Sequence, residues 1–431
     1  MSQNLKYFIK TFGCTYNKNS SNIMQGLLSK NEYIRVKNVE FADIIIINTC
    51  IVKINTESKI LYLLKELTEK YPKKIMIVAG CMAEEMSGIV KKISSKINLI
   101  GPFYVTEIIN VIHGFLQDSI PKEYIGKRVE DKLNQPKILA TKLIDIIPIS
   151  QGCVNNCHYC IVKKAMGKLN SYSINEILIS IKRSIQNGIK EIQLTAQDLS
   201  AYGLDSNRSL VDVINGINKI EGEFRVRLGM MNPSTLLPII DDFLNACHNN
   251  KIYKFFHLPM QSGDNEVLSK MNRKYQVTDF LFIYNKIKSE FKELCLSTDI
   301  ICGYPGETDA NFGNTLKLIK KIKPDIINIS KYGHRAGTYA STLKDLRSEV
   351  KKERSKALHN LFEKYREQKI KKMIGKSIQV LFLKKKSKNL YWGRSETYYP
   401  IYIESNRDLL SKILSVKINE IKGKKIFGIL K

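Results

Sequence analysis

Within the first hundred residues three apolar runs, LKYFIKTFGC, ADIIIINTC and KIMIVAGC, each stop at a cysteine: Cys14, Cys50 and Cys81. Their length suits buried strands. Between them lie amphipathic stretches such as 58–70, where Ile60, Leu61, Leu64 and Leu67 recur at helical spacing. This alternation leaves little choice of architecture, because consecutive strands joined by a helix run parallel in one sheet. Ligand chemistry in such sheets gathers at the carboxyl ends of the strands, so the three thiols are expected at one edge. One cysteine after a buried strand is most often a small hydrophobe. Three at successive strand ends can instead share a metal cluster, with one iron left open.

A polar stretch, 116–142, lacks periodicity and reads as a linker. From about residue 143 a second βα series begins. Its strand candidates are IDIIPIS, EIQLTAQD, RVRLGMMNP, KFFHLPMQSG, CLSTDIICG and IINISKYG. After the first of them, Ile174, Ile177, Leu178, Ile181 and Ile185 make an apolar helix stripe that stops at Gly188. Six strands with helices between them predict an incomplete parallel barrel of six βα units. Polar residues just past the strand ends then mark the active face: Cys153, Gln197, Asp198, Asn232, Gln261, Ser262 and Glu307. Residues 348–367 read as a basic helix with Leu358, Leu361, Phe362 and Tyr365 on its apolar side. Beyond Gly375 the pattern changes to short β runs at close spacing, which predict a small antiparallel, OB-like barrel.

The chain has 69 Lys+Arg against 41 Asp+Glu, a net charge of +28. Such a surplus calls for a polyanionic partner or a well-solvated basic surface. Of that charge, +12 sits in the last 63 residues, which argues for a nucleic-acid module there. With 43% hydrophobic and 26% charged residues the composition is that of a soluble globular protein. The start, MSQNLKYFIK, lacks the pattern of an export signal, and the most apolar run, 44–47, is far too short to span a bilayer. No membrane association and a reducing cytoplasm are therefore expected, where cysteines serve as metal ligands or core residues more often than as disulfides.

The sharpest motif is Cys153-Val-Asn-Asn-Cys157-His-Tyr-Cys160, directly after a strand and Gly152. A tight loop can aim three thiolates at three irons of a [4Fe–4S] cube and leave the fourth open, as a catalytic site requires. A structural zinc would want a fourth ligand nearby; Cys247, Cys295 and Cys302 are distant in sequence and read as core residues, while His158 sits inside the loop.

The loop and the incomplete barrel resemble the radical S-adenosylmethionine (SAM) family. The chain is further similar, throughout its length, to the methylthiotransferases of that family, and most to their archaeal and eukaryotic threonylcarbamoyladenosine tRNA branch. The stretches that carry this are KTFGCTYNKNSS, INTCIV, VAGCM, QGCVNNCHYCIVKKAMGKLNSY, TAQDLSAYG, RLGMMNP, FFHLPMQSGDNEVLSKMNRKY, STDIICGYPGET and KYGHRAGTYAS. Two departures are visible: Met166 stands where Arg is usual, and Ala336 where Pro is usual.

The resemblance implies an N-terminal methylthiotransferase domain (1–115), a linker (116–142), a radical SAM domain (143–367) and a C-terminal TRAM domain (368–431). It implies two [4Fe–4S] clusters. The cluster on Cys153, Cys157 and Cys160 binds SAM and cleaves it to a 5′-deoxyadenosyl radical; the cluster on Cys14, Cys50 and Cys81 holds the sulfur. The implied reaction inserts S–CH3 at C2 of the modified adenosine at tRNA position 37, with an unidentified electron donor and sulfur source. Gln197, Asp198, Gln261, Ser262 and Glu307 fall where the family lines its SAM and substrate pocket; the alternative for the first four is strand-end capping, and for Glu307 a helix-starting role after a turn at Gly303 and Gly306. Arg335 is suited to a phosphate or carboxylate, or to the surface. In the last domain Lys384, Lys385, Lys386, Lys388 and Arg394 are expected along a phosphate backbone, and Trp392, Tyr398 and Tyr399 on unpaired bases or in the barrel core. Two rival readings are a methylthiotransferase acting on a ribosomal protein side chain and a non-enzymatic iron–sulfur or zinc RNA-binding protein.

Overall fold

The computed structural model describes residues 5–431; residues 1–4, where the search for an export signal begins, lie outside the described residues. Among the described residues the N-terminal unit is one parallel sheet of β1 (Lys6–Thr11), β2 (Ile34–Arg35), β3 (Ile44–Thr49), β4 (Ile75–Gly80), β5 (Asn98–Ile100) and β6 (Glu123–Tyr124), in the order β2-β1-β3-β4-β5-β6. Helices α1 (Thr15–Lys30), α2 (Ile54–Lys70), α3 (Cys81–Glu85), α4 (Ser87–Ile93) and α5 (Ile108–Asp118) cover it. Every residue of β3 and β4 is buried. Side chains alternate between two apolar layers: Ile45, Ile47, Met76 and Val78 enter one, and Ile44, Ile46, Ile75 and Ile77 the other. A sheet covered on both faces demands such unbroken apolar runs.

The expected linker, 116–142, is instead built into the fold. Its β6 adds the last strand of the sheet, and Glu130 and Lys132 are buried. Farther on, Ile138 N donates to Asn22 O at 3.0 Å, and Pro136 crosses α1 so closely that a Cβ on Gly26 would lie 2.2 Å from its carbonyl oxygen. The segment's polarity hid this packing, because what it buries is a pair of opposite charges and the single Leu133 rather than an apolar stripe.

The six strands of the second series are present in the expected order. β7 (Ile144–Pro148) heads them and is followed by a small hairpin, β8 (Ser150–Gln151) and β9 (Asn170–Ser171), with α6 (Val162–Met166) between its arms. Then come β10 (Glu191–Thr195), β11 (Arg225–Arg227), β12 (Phe255–His257), β13 (Cys295–Cys302) and β14 (Ile326–Lys331). β7, β10 and β11 form one parallel sheet and β12, β13 and β14 another. Parallel bridges Val226↔Ile252 and Met230↔His257 join them into one open barrel wall.

A helix, Ser348–Lys371, runs without a break past the expected boundary at 367, and its Ile370 enters the core of the C-terminal barrel. That barrel is closed, in the order β15 (Ser377–Lys385), β16 (Leu390–Ser395), β17 (Pro400–Glu404), β19 (Lys425–Leu430), β18 (Ile413–Lys422). It departs from the all-antiparallel expectation at one pair: β17 and β19 run parallel. Five strands in a ring cannot alternate direction throughout, so one parallel pair is forced. Among the described residues no helix is long and apolar enough to cross a membrane.

Candidate active site

The three N-terminal cysteines converge as the sheet requires. Cys14 caps α1, Cys50 follows β3 and Cys81 opens α3 directly after β4. Gly13, at φ +104°, lets the first loop pass over the second: a Cβ there would lie 2.5 Å from Cys50 Cβ and 2.9 Å from its Sγ. Side-chain amides tie the three strand ends together. Asn17 Nδ2 donates to Thr49 O (2.6 Å), Asn48 Nδ2 to Asn17 O (2.8 Å), and Thr49 Oγ1 donates to Ala79 O (2.6 Å) while accepting from Met82 N (3.2 Å). Cys14 is exposed; Cys50 and Cys81 are buried. Burial above all, and then the neighbouring thiols Cys50 and Cys14, push the Cys81 thiol well up. Buried thiols that resist ionising, as Cys50 and Cys81 do, suit a metal, which deprotonates its thiol ligands.

The second trio is framed by the β8–β9 hairpin. Gly152 (φ +78°) sits so close to the opposite arm that a Cβ would lie 1.7 Å from Lys168 O. Cys153 N donates to Gly167 O (3.2 Å) and Cys160 N to Cys157 O (3.0 Å), which folds the loop into a cup. Burial, followed by the charge of Cys157, pushes the Cys160 thiol up to about 12. His158 does not join them: its Nδ1 pairs with Lys270 O at 2.8 Å and its ring lies 4.3 Å from that of Tyr339. Among the described residues no group of three His, Cys, Asp or Glu side chains is drawn together around a single ion; a cube spaces its thiolates more widely, one to each iron corner.

Two residues of this site are not evident from strand-end position. Arg273 directs Nη1 at Cys157 Sγ (3.4 Å) and Nη2 at Asn232 Oδ1 (2.8 Å) and Pro259 O (3.2 Å). Asn155, inside the loop, donates to Asp198 Oδ2 (2.8 Å) and towards Cys153 Sγ (3.7 Å). The signal for Arg273 was present in NRKY, a cation three residues past the end of the short helix Asn265–Lys270.

The strand-end residues divide in role. Asp198 is fully engaged, accepting from Asn155, Ser200 Oγ, Asn232 N and Thr235 Oγ1, so it braces the cysteine loop. Burial raises its pKa, against those four donors. Gln197 Oε1 is buried with no hydrogen-bond partner, an acceptor available to a bound molecule. Gln261 adopts φ +69° and is held by its backbone, donating to Asp299 O (2.7 Å) and accepting from Ile301 N (3.0 Å). Ser262 Oγ lies 3.4 Å from Thr315 Oγ1 and accepts from Asp264 N at 3.3 Å. Glu307 is buried, bonded by Gly303 N (2.8 Å) and paired with Arg354 Nη1 (2.6 Å). Cys247, Cys295 and Cys302 lie in apolar clusters away from both trios.

The trios face one seam. α3, which begins at Cys81, packs on α6, which follows Cys160; Met82 and Ala83 share an apolar cluster with Ile161, Ala165 and Met166. Met166 is thus a buried packing residue. Lys127 reaches across beside it, to Glu84 Oε1 (2.6 Å) and to Ala165 O (3.1 Å). Arg335 closes the same seam by pairing with Glu57 of α2.

In the C-terminal barrel Lys384, Lys385, Lys386 and Lys388 are exposed. Arg394, expected with them, is not free: its guanidinium stacks between Trp392 (4.7 Å) and Tyr398 (4.1 Å) and donates to Tyr398 O (3.1 Å). Tyr398 and Tyr399 are likewise withdrawn from bases. Tyr398 Oη donates to Glu191 Oε1 (3.2 Å) and its ring lies 4.9 Å from that of Tyr253; Tyr399 Oη donates to Asp325 Oδ1 (2.7 Å). These rings dock the small barrel on the open barrel, because buried phenols seek partners that bases would otherwise supply.

Among known families, residues 6–101 match the one described as "Uncharacterized protein family UPF0004" and residues 147–319 the "Radical SAM superfamily". Fold and cysteine hairpin together thus define a radical SAM protein. The chain is 36% identical, over 93% of its length and 94% of the relative's, to a probable threonylcarbamoyladenosine tRNA methylthiotransferase of Methanothermobacter thermautotrophicus. To the human threonylcarbamoyladenosine tRNA methylthiotransferase it is 32% identical over 96% of its length and 72% of the relative's. It belongs to that methylthiotransferase family. A solved radical S-adenosylmethionine methyltransferase from Kitasatospora setae shares the fold at 11% identity, with a TM-score of 0.55 over 79% of this chain and 74% of that one.

Proposed function

We propose that this protein transfers a methylthio group to C2 of N6-threonylcarbamoyladenosine at position 37 of tRNA, using SAM and two [4Fe–4S] clusters. The observation that carries this is the meeting of two cysteine trios, each at the carboxyl end of its own parallel sheet, across the α3–α6 seam. Cys153, Cys157 and Cys160 hold the radical-generating cluster, and Cys14, Cys50 and Cys81 the sulfur-bearing one. Such clusters, when bound, supply one-electron cleavage of SAM at one site and an open iron for sulfur at the other. The chain's own residues set the stage for that chemistry. Arg273 orients Cys157, Asp198 and Asn155 brace the loop at Cys153, and Gln197 Oε1 offers an acceptor within the pocket.

The C-terminal barrel is read as a TRAM module that binds tRNA through Lys384, Lys385, Lys386 and Lys388, and its charge favours RNA over a ribosomal protein. We place the activity in the cytoplasm, with an electron donor and a sulfur source still to be identified. Nucleoside mass spectrometry of tRNA from a strain lacking the gene tests the reading. Loss of 2-methylthio-N6-threonylcarbamoyladenosine, with its unthiolated precursor accumulating, is expected; an unchanged nucleoside profile would overturn it.

A further inference from the structure

A fully buried cation stands behind the first trio. Lys132, 0% exposed, extends Nζ to Pro102 O (2.6 Å), Ser20 Oγ (3.3 Å) and Glu130 Oε2 (3.2 Å), and lies 4.7 Å from the centre of the Tyr16 ring. Tyr16 and Ser20 occupy the first turns of α1, just after Cys14, and Pro102 follows β5, the neighbour of the strand that ends at Cys81. Glu130 is anchored on its far side, where Oε1 accepts from Thr106 N and Thr106 Oγ1, both at 2.9 Å, with Arg128 Nη2 at 4.0 Å. Nζ therefore lies against the first turns of α1, behind Cys14, while the other oxygen of Glu130 is turned to Thr106. Burial lowers the pKa of Lys132, and Glu130 first, then Cys81 and Cys14, work against that to keep its charge; the charge of Lys132 in turn favours the thiolate of Cys81.

Burying an ion pair is costly, and a methionine or leucine would fill the same space without that cost. Neutral thiols give no reason for a cation here. Three thiolates on an iron–sulfur core carry net negative charge, and more of it after reduction, and nearby charge is one of the levers that set a cluster's potential. We infer that Lys132 is a positioning residue for this trio: its buried ammonium is the counter-charge to the anionic cluster held by Cys14, Cys50 and Cys81, and sets how readily that cluster accepts an electron. The inference rests on the reading above that the trio carries a cluster.

The test uses full-length protein in which Cys153, Cys157 and Cys160 are all replaced by Ala, so that anaerobic reconstitution with iron and sulfide loads the first trio alone. Midpoint potential is followed by electron paramagnetic resonance under dithionite titration, and cluster stability by iron release to a chelator. Lys132→Met is expected to disfavour reduction about tenfold, about 59 mV more negative for one electron, and to speed iron release about tenfold. Lys132→Arg is expected to stay near the parent in both. Because Lys132→Met leaves Glu130 unpaired, the double variant Lys132→Met, Glu130→Gln is measured alongside it, and decides where the single variant does not fold. A negative shift that persists in the double variant supports the inference. A double variant with the parent's potential and iron-release rate would overturn it, leaving Lys132 as no more than the partner of Glu130. A parent that assembles no cluster would overturn the trio assignment, and the inference with it.

Discussion

Each thiol of the second trio has a fixed position in the β8–β9 hairpin that no neighbouring donor can fill, so Cys157→Ala is expected to abolish 5′-deoxyadenosine formation, measured by chromatography after incubation with SAM and dithionite. Arg273 allows a finer distinction. Its Nη1 is the side-chain donor on Cys157 Sγ, and its Nη2 ties Asn232 and Pro259 to the same point. Arg273→Leu should therefore slow SAM cleavage at least about tenfold, the rate equivalent of the roughly 1.5–3 kcal/mol carried by a hydrogen bond to a charged group. Iron content should stay near that of the unmodified protein, and a variant that instead lost its iron would make Arg273 a residue of cluster retention. The residue scale is also where the sequence alone falls short. Strand-end position identifies Asp198 and Gln197 equally, yet the first is saturated by four donors and the second keeps a bare acceptor. Only the packed surroundings separate them.

At the scale of the element, two glycines in the left-handed region make a matched pair. Gly188, at φ +84°, has open space around it, whereas at Gly152, at φ +78°, an added methyl would sit 1.7 Å from Lys168 O. Gly188→Ala should cost only the strain of that conformation, about 1–2 kcal/mol, visible as a lower Tm with unchanged SAM cleavage. Gly152→Ala should pry the hairpin open and lose the iron of the second trio, about half the total. The parallel runs, the helix stripe ending at Gly188 and the five short terminal strands are all legible in the sequence, because burial on both faces, a 3.6-residue period and close turn spacing each leave a pattern in the chain. Segment 116–142 leaves none. It supplies one two-residue edge strand and a buried ion pair, and neither produces a periodicity.

For the molecule as a whole, the basic barrel and the catalytic barrel are joined by a continuous helix and by Tyr398 and Tyr399. Cutting away 369–431 would strip cover from Tyr253, Phe255 and Glu191, so deletion is expected to destabilise the radical SAM unit as well as weaken tRNA binding. Replacing Lys384, Lys385, Lys386 and Lys388 together by Gln is the cleaner experiment. It should lower tRNA affinity and flatten the dependence of log K on log salt by about 0.7–0.9 for each phosphate no longer neutralised, with SAM cleavage in the absence of tRNA unchanged. An unaltered salt slope would move the RNA-binding surface elsewhere. The docking through Tyr398 has a geometric corollary. With RNA held at the lysine-rich edge, as proposed above, that edge would work as a gauge: RNA gripped there would present to the chemistry only the nucleotide lying one set span away. Selection of a single position in a folded RNA would then follow in part from the rigidity of a joint between two barrels, and loosening that joint would blur which nucleotide is reached before it changed how fast any nucleotide reacts.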